Sequence, residues 1–169
     1  MKTLRGVLYL VAITALATGA AADAANQITA ENILRLMNEY RSNAGLPLLN
    51  SETRLEQAAA DRMRHMEEVG YWNHTSPDGM SPFVWMAVRA YRFQYASENL
   101  ASGFETARLL VESWMESPGH RANILSPDAE DCGIAVIEGA TTGPSVGKSV
   151  VVLFGKRQPF TVITSSTRR

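Results

Sequence analysis

The last third of the chain sets the fold class. Cys132 to Glu138 (CGIAVIE) and Ser149 to Phe154 (SVVVLF) are short β-branched runs, separated by a Gly-, Thr- and Pro-rich loop from Gly139 to Gly147. Runs of this kind read as an antiparallel strand pair with both faces mostly covered. A third strand is expected near Arg92 to Leu100. What precedes them has a different period. Ile33, Leu36, Met37 and Tyr40 fall at i, i+3, i+4 and i+7, the stripe of an amphipathic helix over Thr29 to Asn43, with Thr29 as N-cap and Gly45 and Pro47 as its stop. A second helix is expected from Glu52 to Val69, with Leu55, Ala58, Ala59, Met63, Met66 and Val69 on its buried side and Gly70 as C-cap. A short helix should span Pro82 to Tyr91. Another should span Gly103 to Glu116, opened by a capping box from Ser102 to Glu105. Helices followed by hairpin-joined strands give an α+β fold rather than a doubly wound sheet.

The chain has 169 residues, room for one domain and little more. Its first 24 residues do not read as part of that domain. Lys2 and Arg5 precede an apolar stretch from Val7 to Thr18, followed by Ala-x-Ala options at Ala20 to Ala22 and Ala22 to Ala24. This is the grammar of a secretory signal peptide, and the apolar stretch is shorter than the roughly 20 residues of a spanning helix. The expected product is secreted or periplasmic, with no stable membrane span after cleavage. Removing Lys2, Arg5 and Asp23 moves the net charge from -1 to -2. So even a balance argues against nucleic acid as a partner. One cysteine, Cys132, excludes an intramolecular disulfide framework, and an exported chain without disulfides fits a bacterial source better than a eukaryotic one.

Chemistry narrows to a few side chains. There are three histidines. His74 lies in the turn-rich segment Tyr71 to Pro82 (YWNHTSPDGMSP), in which Ser76-Pro77-Asp78-Gly79 is a β-turn candidate. His120 follows Pro118 and Gly119, with Arg121 to Leu125 as a further helical turn, and a helix start favours its neutral form. Glu98 is a carboxylate among apolar neighbours at a strand end. Two histidines and a glutamate would make a zinc-type donor set if the fold brought them together, a convergence that spacing alone does not establish. Each also has a plain reading as a hydrogen-bonded loop or cap residue. His65 reads as a solvated helix-face residue and Cys132 as a buried structural thiol. Trp72, Trp85 and Trp114 read as core or pocket-wall aromatics.

Four segments, YWNHTSPDGMSPF, SENLASG, VESWMESPGHRANIL, and CGIAV followed by VVLFG, resemble in order and spacing the CAP superfamily. This SCP-like family includes the cysteine-rich secretory proteins, antigen 5 and plant pathogenesis-related proteins, and the chain is similar to its short bacterial branch. The resemblance runs from about Ile33 to Gly155. It implies a CAP domain over residues 29–156, with a tail over 157–169, folded as a three-layer α-β-α sandwich with a central antiparallel sheet and an open cleft. In the family that cleft holds two histidines and two glutamates, which here match His74, Glu98 and His120. At the position of the second glutamate this chain has Ser117, with Glu116 and Glu112 as neighbouring substitutes. The resemblance further implies a divalent metal, Zn2+ or another, on His74 and His120. His74, His120 and Glu98 would be the catalytic set of a metal-assisted hydrolysis, with Glu98 as third ligand or general base. The alternative is a non-catalytic module for a lipid, glycan or peptide, seated in the cleft or in a groove lined by Trp85 and Tyr91.

Overall fold

The computed structural model describes residues 24–138 and 147–159. Residues 1–23, where a signal peptide is expected, most of the Gly139 to Gly147 loop and the end of the tail lie outside them. In order, the elements are α1 (Ala30–Asn43), β1 (Asn50–Ser51), α2 (Thr53–Val69), α3 (Val84–Val88), β2 (Phe93–Ser102), α4 (Ala107–Glu116), α5 (Pro118–Ile124), β3 (Asp131–Glu138) and β4 (Lys148–Arg157).

Local chemistry accounts for most of the boundaries. The Thr29 hydroxyl accepts the Asn32 N–H at 3.2 Å and starts α1. Gly70, at φ +77°, ends α2 with its N–H on the Met66 carbonyl. Three expectations shift. The capping box from Ser102 to Glu105 does not form, because Ser102 is still in β2 and the Gly103 N–H continues the ladder to the Lys148 carbonyl at 3.2 Å. Thr106 caps α4 instead, accepting the Leu109 N–H. The Pro82 to Tyr91 helix shrinks to α3, since Ala90 adopts a left-handed φ of +57° and turns Tyr91 into the core. Helix α5 starts at Pro118, earlier than expected, because a proline at the first position loses no intrahelical bond. Val69, placed on the buried side of α2, is exposed instead.

The sheet order is β1-β3-β4-β2. Strands β2 and β3 both run antiparallel to β4, as expected of the long strands. The sheet as a whole is mixed, because two-residue β1 pairs parallel with β3 through Asn50↔Asp131 and Ser51↔Cys132. Central β4 faces both helical layers. Val150, Val152 and Phe154 pack with residues of α1, α4 and α5, whereas Val151 and Leu153 pack with Leu55, Met63 and Met66 of α2 and Met86 of α3. All five β4 side chains are fully buried, and each contributes about 1.5–3 kcal/mol of burial free energy. This is the α-β-α sandwich. The α2 layer sits directly on β3, where a Cβ at Gly133 would lie 2.0 Å from the Leu55 backbone. Among the described residues, no helix is long and apolar enough to cross a membrane.

One buried cation closes the opposite layer. Arg41, on the inner face of α1, is fully buried and donates to four backbone carbonyls: Pro47, Ile124 and Ser126 at 2.8 Å and Ala129 at 2.9 Å. Its cost of desolvation is offset by donor bonds rather than by a carboxylate. Replacing it strands those carbonyls in the core. Arg41→Ala is expected to lose about 3 kcal/mol or more in a denaturant melt, and a loss below about 1 kcal/mol would show that the carbonyls find other donors.

Candidate functional site

Strand β2 is an edge strand, and its centre carries Glu98. Glu98 stands opposite Leu153, so its side chain points towards the α2 layer. There it meets Arg62. The Arg62 Nε donates to Glu98 Oε2 at 3.1 Å, and both side chains are only 1% exposed. The rest of the guanidinium holds the following loop. Nη2 donates to the carbonyls of Asn73 (2.5 Å) and His74 (2.9 Å), while Nη1 donates to the Tyr71 hydroxyl. The other Glu98 oxygen, Oε1, pairs with His74 Nδ1 at 2.8 Å.

That arrangement fixes the imidazole. A carboxylate on Nδ1 selects the tautomer with its proton there, leaving Nε2 as the acceptor on a ring 53% exposed to solvent. The hydrogen bond that His74 donates to Glu98 raises the His74 pKa above the ordinary 6.5, against the effect of partial burial. His120 arrives from the other layer, within α5. Burial lowers its pKa first, and the nearby charge of His74 lowers it further. Its ring lies 6.3 Å from that of Trp114, centroid to centroid. Two asparagines tie α5 to β2: Asn99 Nδ2 donates to the His120 carbonyl at 3.2 Å, and Asn123 Nδ2 donates to Asn99 Oδ1 (2.8 Å) and the Glu98 carbonyl (3.1 Å). The HTSPDG turn forms as expected, with the Gly79 N–H on the Ser76 carbonyl and Gly79 at φ +86°.

Glu98 thus holds His74 directly, His120 lies near enough to feel the charge of His74, and Glu116 bonds to none of them. It is exposed at the end of α4 and makes no hydrogen bond or ion pair among the described residues. Glu112 lies 3.9 Å from Arg108 on the same helix. Among the described residues, no three of His, Cys, Asp and Glu form a group that would hold a metal ion. Glu98 has both oxygens engaged, which suits it to orienting His74 rather than to metal ligation.

His65 is not simply solvated. Its Nδ1 lies 2.8 Å from the Tyr71 hydroxyl, and its ring packs against Tyr71 and Trp85. The Tyr71 hydroxyl thus links Arg62 to His65. Tyr91 does not line a groove with Trp85, because it is buried with its hydroxyl on Asp131. Cys132 is fully buried, and burial pushes its thiol up to about 12, as a structural thiol requires. The sequence reading missed Arg62, Tyr71, Asn99 and Asn123. Arg62 left a signal, for it sits four residues from both Ala58 and Met66 on the apolar stripe of α2.

Known proteins share this arrangement of elements. The Bacillus subtilis (strain 168) protein YkwD is 32% identical over 120 residues, covering 70% of this chain and 47% of YkwD. The chain thus spans about half the length of that curated relative. An outer surface protein from Borrelia burgdorferi superposes with a TM-score of 0.66 at 26% identity, over 76% of this chain and 92% of that one. An extracellular SCP-domain protein from Bacillus anthracis str. Ames gives 0.63 at 25% identity, over 75% of this chain and 40% of that one. The profile of the CAP, cysteine-rich secretory protein, family matches residues 34–153. The chain belongs to the CAP family.

Proposed function

We propose that this CAP domain works outside the cytoplasm, in the envelope or beyond it, and that its cleft holds a divalent cation on His74 and His120 for hydrolysis of an amide or ester. The observation that carries the reading is the Arg62–Glu98–His74 chain, which presents one imidazole nitrogen of fixed tautomer beside a second, neutral imidazole. Neutral imidazoles suit zinc, and a carboxylate behind a ligating histidine raises its basicity. A bound divalent ion supplies Lewis acidity and lowers the pKa of its water. Glu98 holds a proton on His74 Nδ1, Arg62 fixes Glu98 in place, and burial disfavours the protonated form of His120. Export is supported by the leader-like first 24 residues and by extracellular and outer-surface relatives.

Zinc titration of the chelator-treated chain by calorimetry should find one site. Affinity should fall by about 100-fold or more in His74→Ala or His120→Ala, and by about 10–100-fold in Glu98→Gln. If wild type takes up no more zinc than the double histidine variant, the metal reading fails. Zinc uptake without turnover of amide or ester substrates would leave the cleft a non-catalytic binding module.

Without metal, the histidines should pull stability in opposite directions with pH. The folded pKa of His74 is raised, so its bond to Glu98 contributes full stability below the unfolded value of 6.5 and loses it as pH rises through the folded value. The folded pKa of His120 is lowered, so stability falls as pH drops through 6.5 towards its folded value. Melts in chelator from about pH 5 to about pH 8 should show His74→Ala most damaging at the acid end. His120→Ala should gain on wild type there. Parallel curves for the three proteins would contradict the assigned environments.

A further inference from the structure

The open edge of β2 has a chemistry of its own. In an antiparallel ladder, alternate residues turn both backbone groups towards the neighbour and the others turn them away. The Gly103 N–H bonds to the Lys148 carbonyl, while the Glu98 and Leu100 carbonyls accept from Asn123 Nδ2 and Trp114 Nε1 on the other side. The odd residues of β2 therefore pair with β4. The even ones, Ala96, Glu98 and Leu100, face outward. Asn123 and Trp114 close the edge at Glu98 and Leu100 on the carbonyl side only. Among the described residues, nothing bonds the Ala96 N–H or C=O or the Glu98 N–H, which leaves them for an incoming strand.

Long edge strands are usually blunted with lysine, proline or an inward charge. From Phe93 to Ser102 (FQYASENLAS) there is no lysine, arginine or proline, and the one charge, Glu98, is locked onto Arg62 and His74. This edge also lies where the layers meet. Glu98 points to the α2 side, where it holds His74, and Asn99 bonds to the His120 carbonyl of α5 on the other.

We propose that the cleft ligand is an extended polypeptide that docks by its backbone on the β2 edge, pairing at Ala96 and at the Glu98 N–H and passing between His74 and His120. The open groups at Ala96 and Glu98 select the occupant, since an extended peptide backbone presents donors and acceptors at the spacing of a strand. A second copy of the chain would bring helical layers on both faces of its own sheet, whereas a single extended peptide brings none. The inference rests on this cleft being the ligand site, and it names an amide-bearing substrate class for the reading above.

The test uses the 15N-labelled chain in chelator and a mixed-sequence library of blocked hexapeptides at millimolar total concentration. The amide signals of Ala96 and Glu98 are expected to shift, with their hydrogen exchange slowed about 10-fold or more. A fully N-methylated library should leave them unchanged. Ala96→Pro removes an outward N–H and no ladder donor, so it should abolish the shifts while keeping zinc uptake and the melting temperature. Should that variant not fold, the two libraries decide the matter alone. Unmoved amides, equal shifts with the N-methylated library, or a concentration-dependent dimer that protects the same amides in ligand-free protein would each overturn the proposal. Because docking is read in chelator and zinc uptake in a separate titration, peptide docking and zinc binding succeed or fail separately.

Discussion

The placement of Glu98 and His74 depends on the burial of Arg62. Removing a guanidinium and a carboxylate from water costs several kcal/mol per ion, and the pair with Glu98 is kept because every side of the guanidinium finds an acceptor. Those acceptors belong to β2 and to the segment carrying Tyr71, Asn73 and His74. A single side chain on α2 thus sets the carboxylate, the loop backbone and, through Glu98, the imidazole. His74 is exposed, yet its position is decided in the core.

The second histidine is positioned by different means. His120 sits in a seven-residue helix that the Asn99 and Asn123 amides tie to β2. The two imidazoles come from opposite layers of the sandwich and share only the sheet between them. Their spacing follows the seating of α2 and α5 on the sheet, and the alternating apolar faces of β4 hold both layers in place. Opposite environments separate the rings chemically as well: a hydrogen-bonded carboxylate behind one, burial around the other.

Much of this was legible before any coordinates. Helical stripes, β-branched runs, the Thr29 cap and the Ser76 turn are local, and local signals survive folding. The departures occur where tertiary bonding outbids a local preference. Ser102 has the makings of an N-cap, but the ladder to Lys148 keeps the chain extended through Gly103. Tyr91 reads as continuing a helix, yet its hydroxyl reaches Asp131, forty residues away. His74, Glu98 and His120 stand out by motif, whereas Arg62, Asn99 and Asn123 do not, since their partners are non-local backbone or side-chain groups. An arginine on an apolar helix stripe is the exception, and it marks the two buried cations among the described residues, Arg41 and Arg62.

Arg41 differs from Arg62 in what it demands of its neighbours. Its four acceptors are main-chain carbonyls, at Pro47, Ile124, Ser126 and Ala129. Every residue type supplies a carbonyl, so these bonds themselves place no demand on side-chain identity at the four positions, while position 41 must remain arginine. No correlated substitution will betray the contact. In a comparison of related sequences, the joint between α1 and the segment after α5 would show as one invariant arginine with no visible partner.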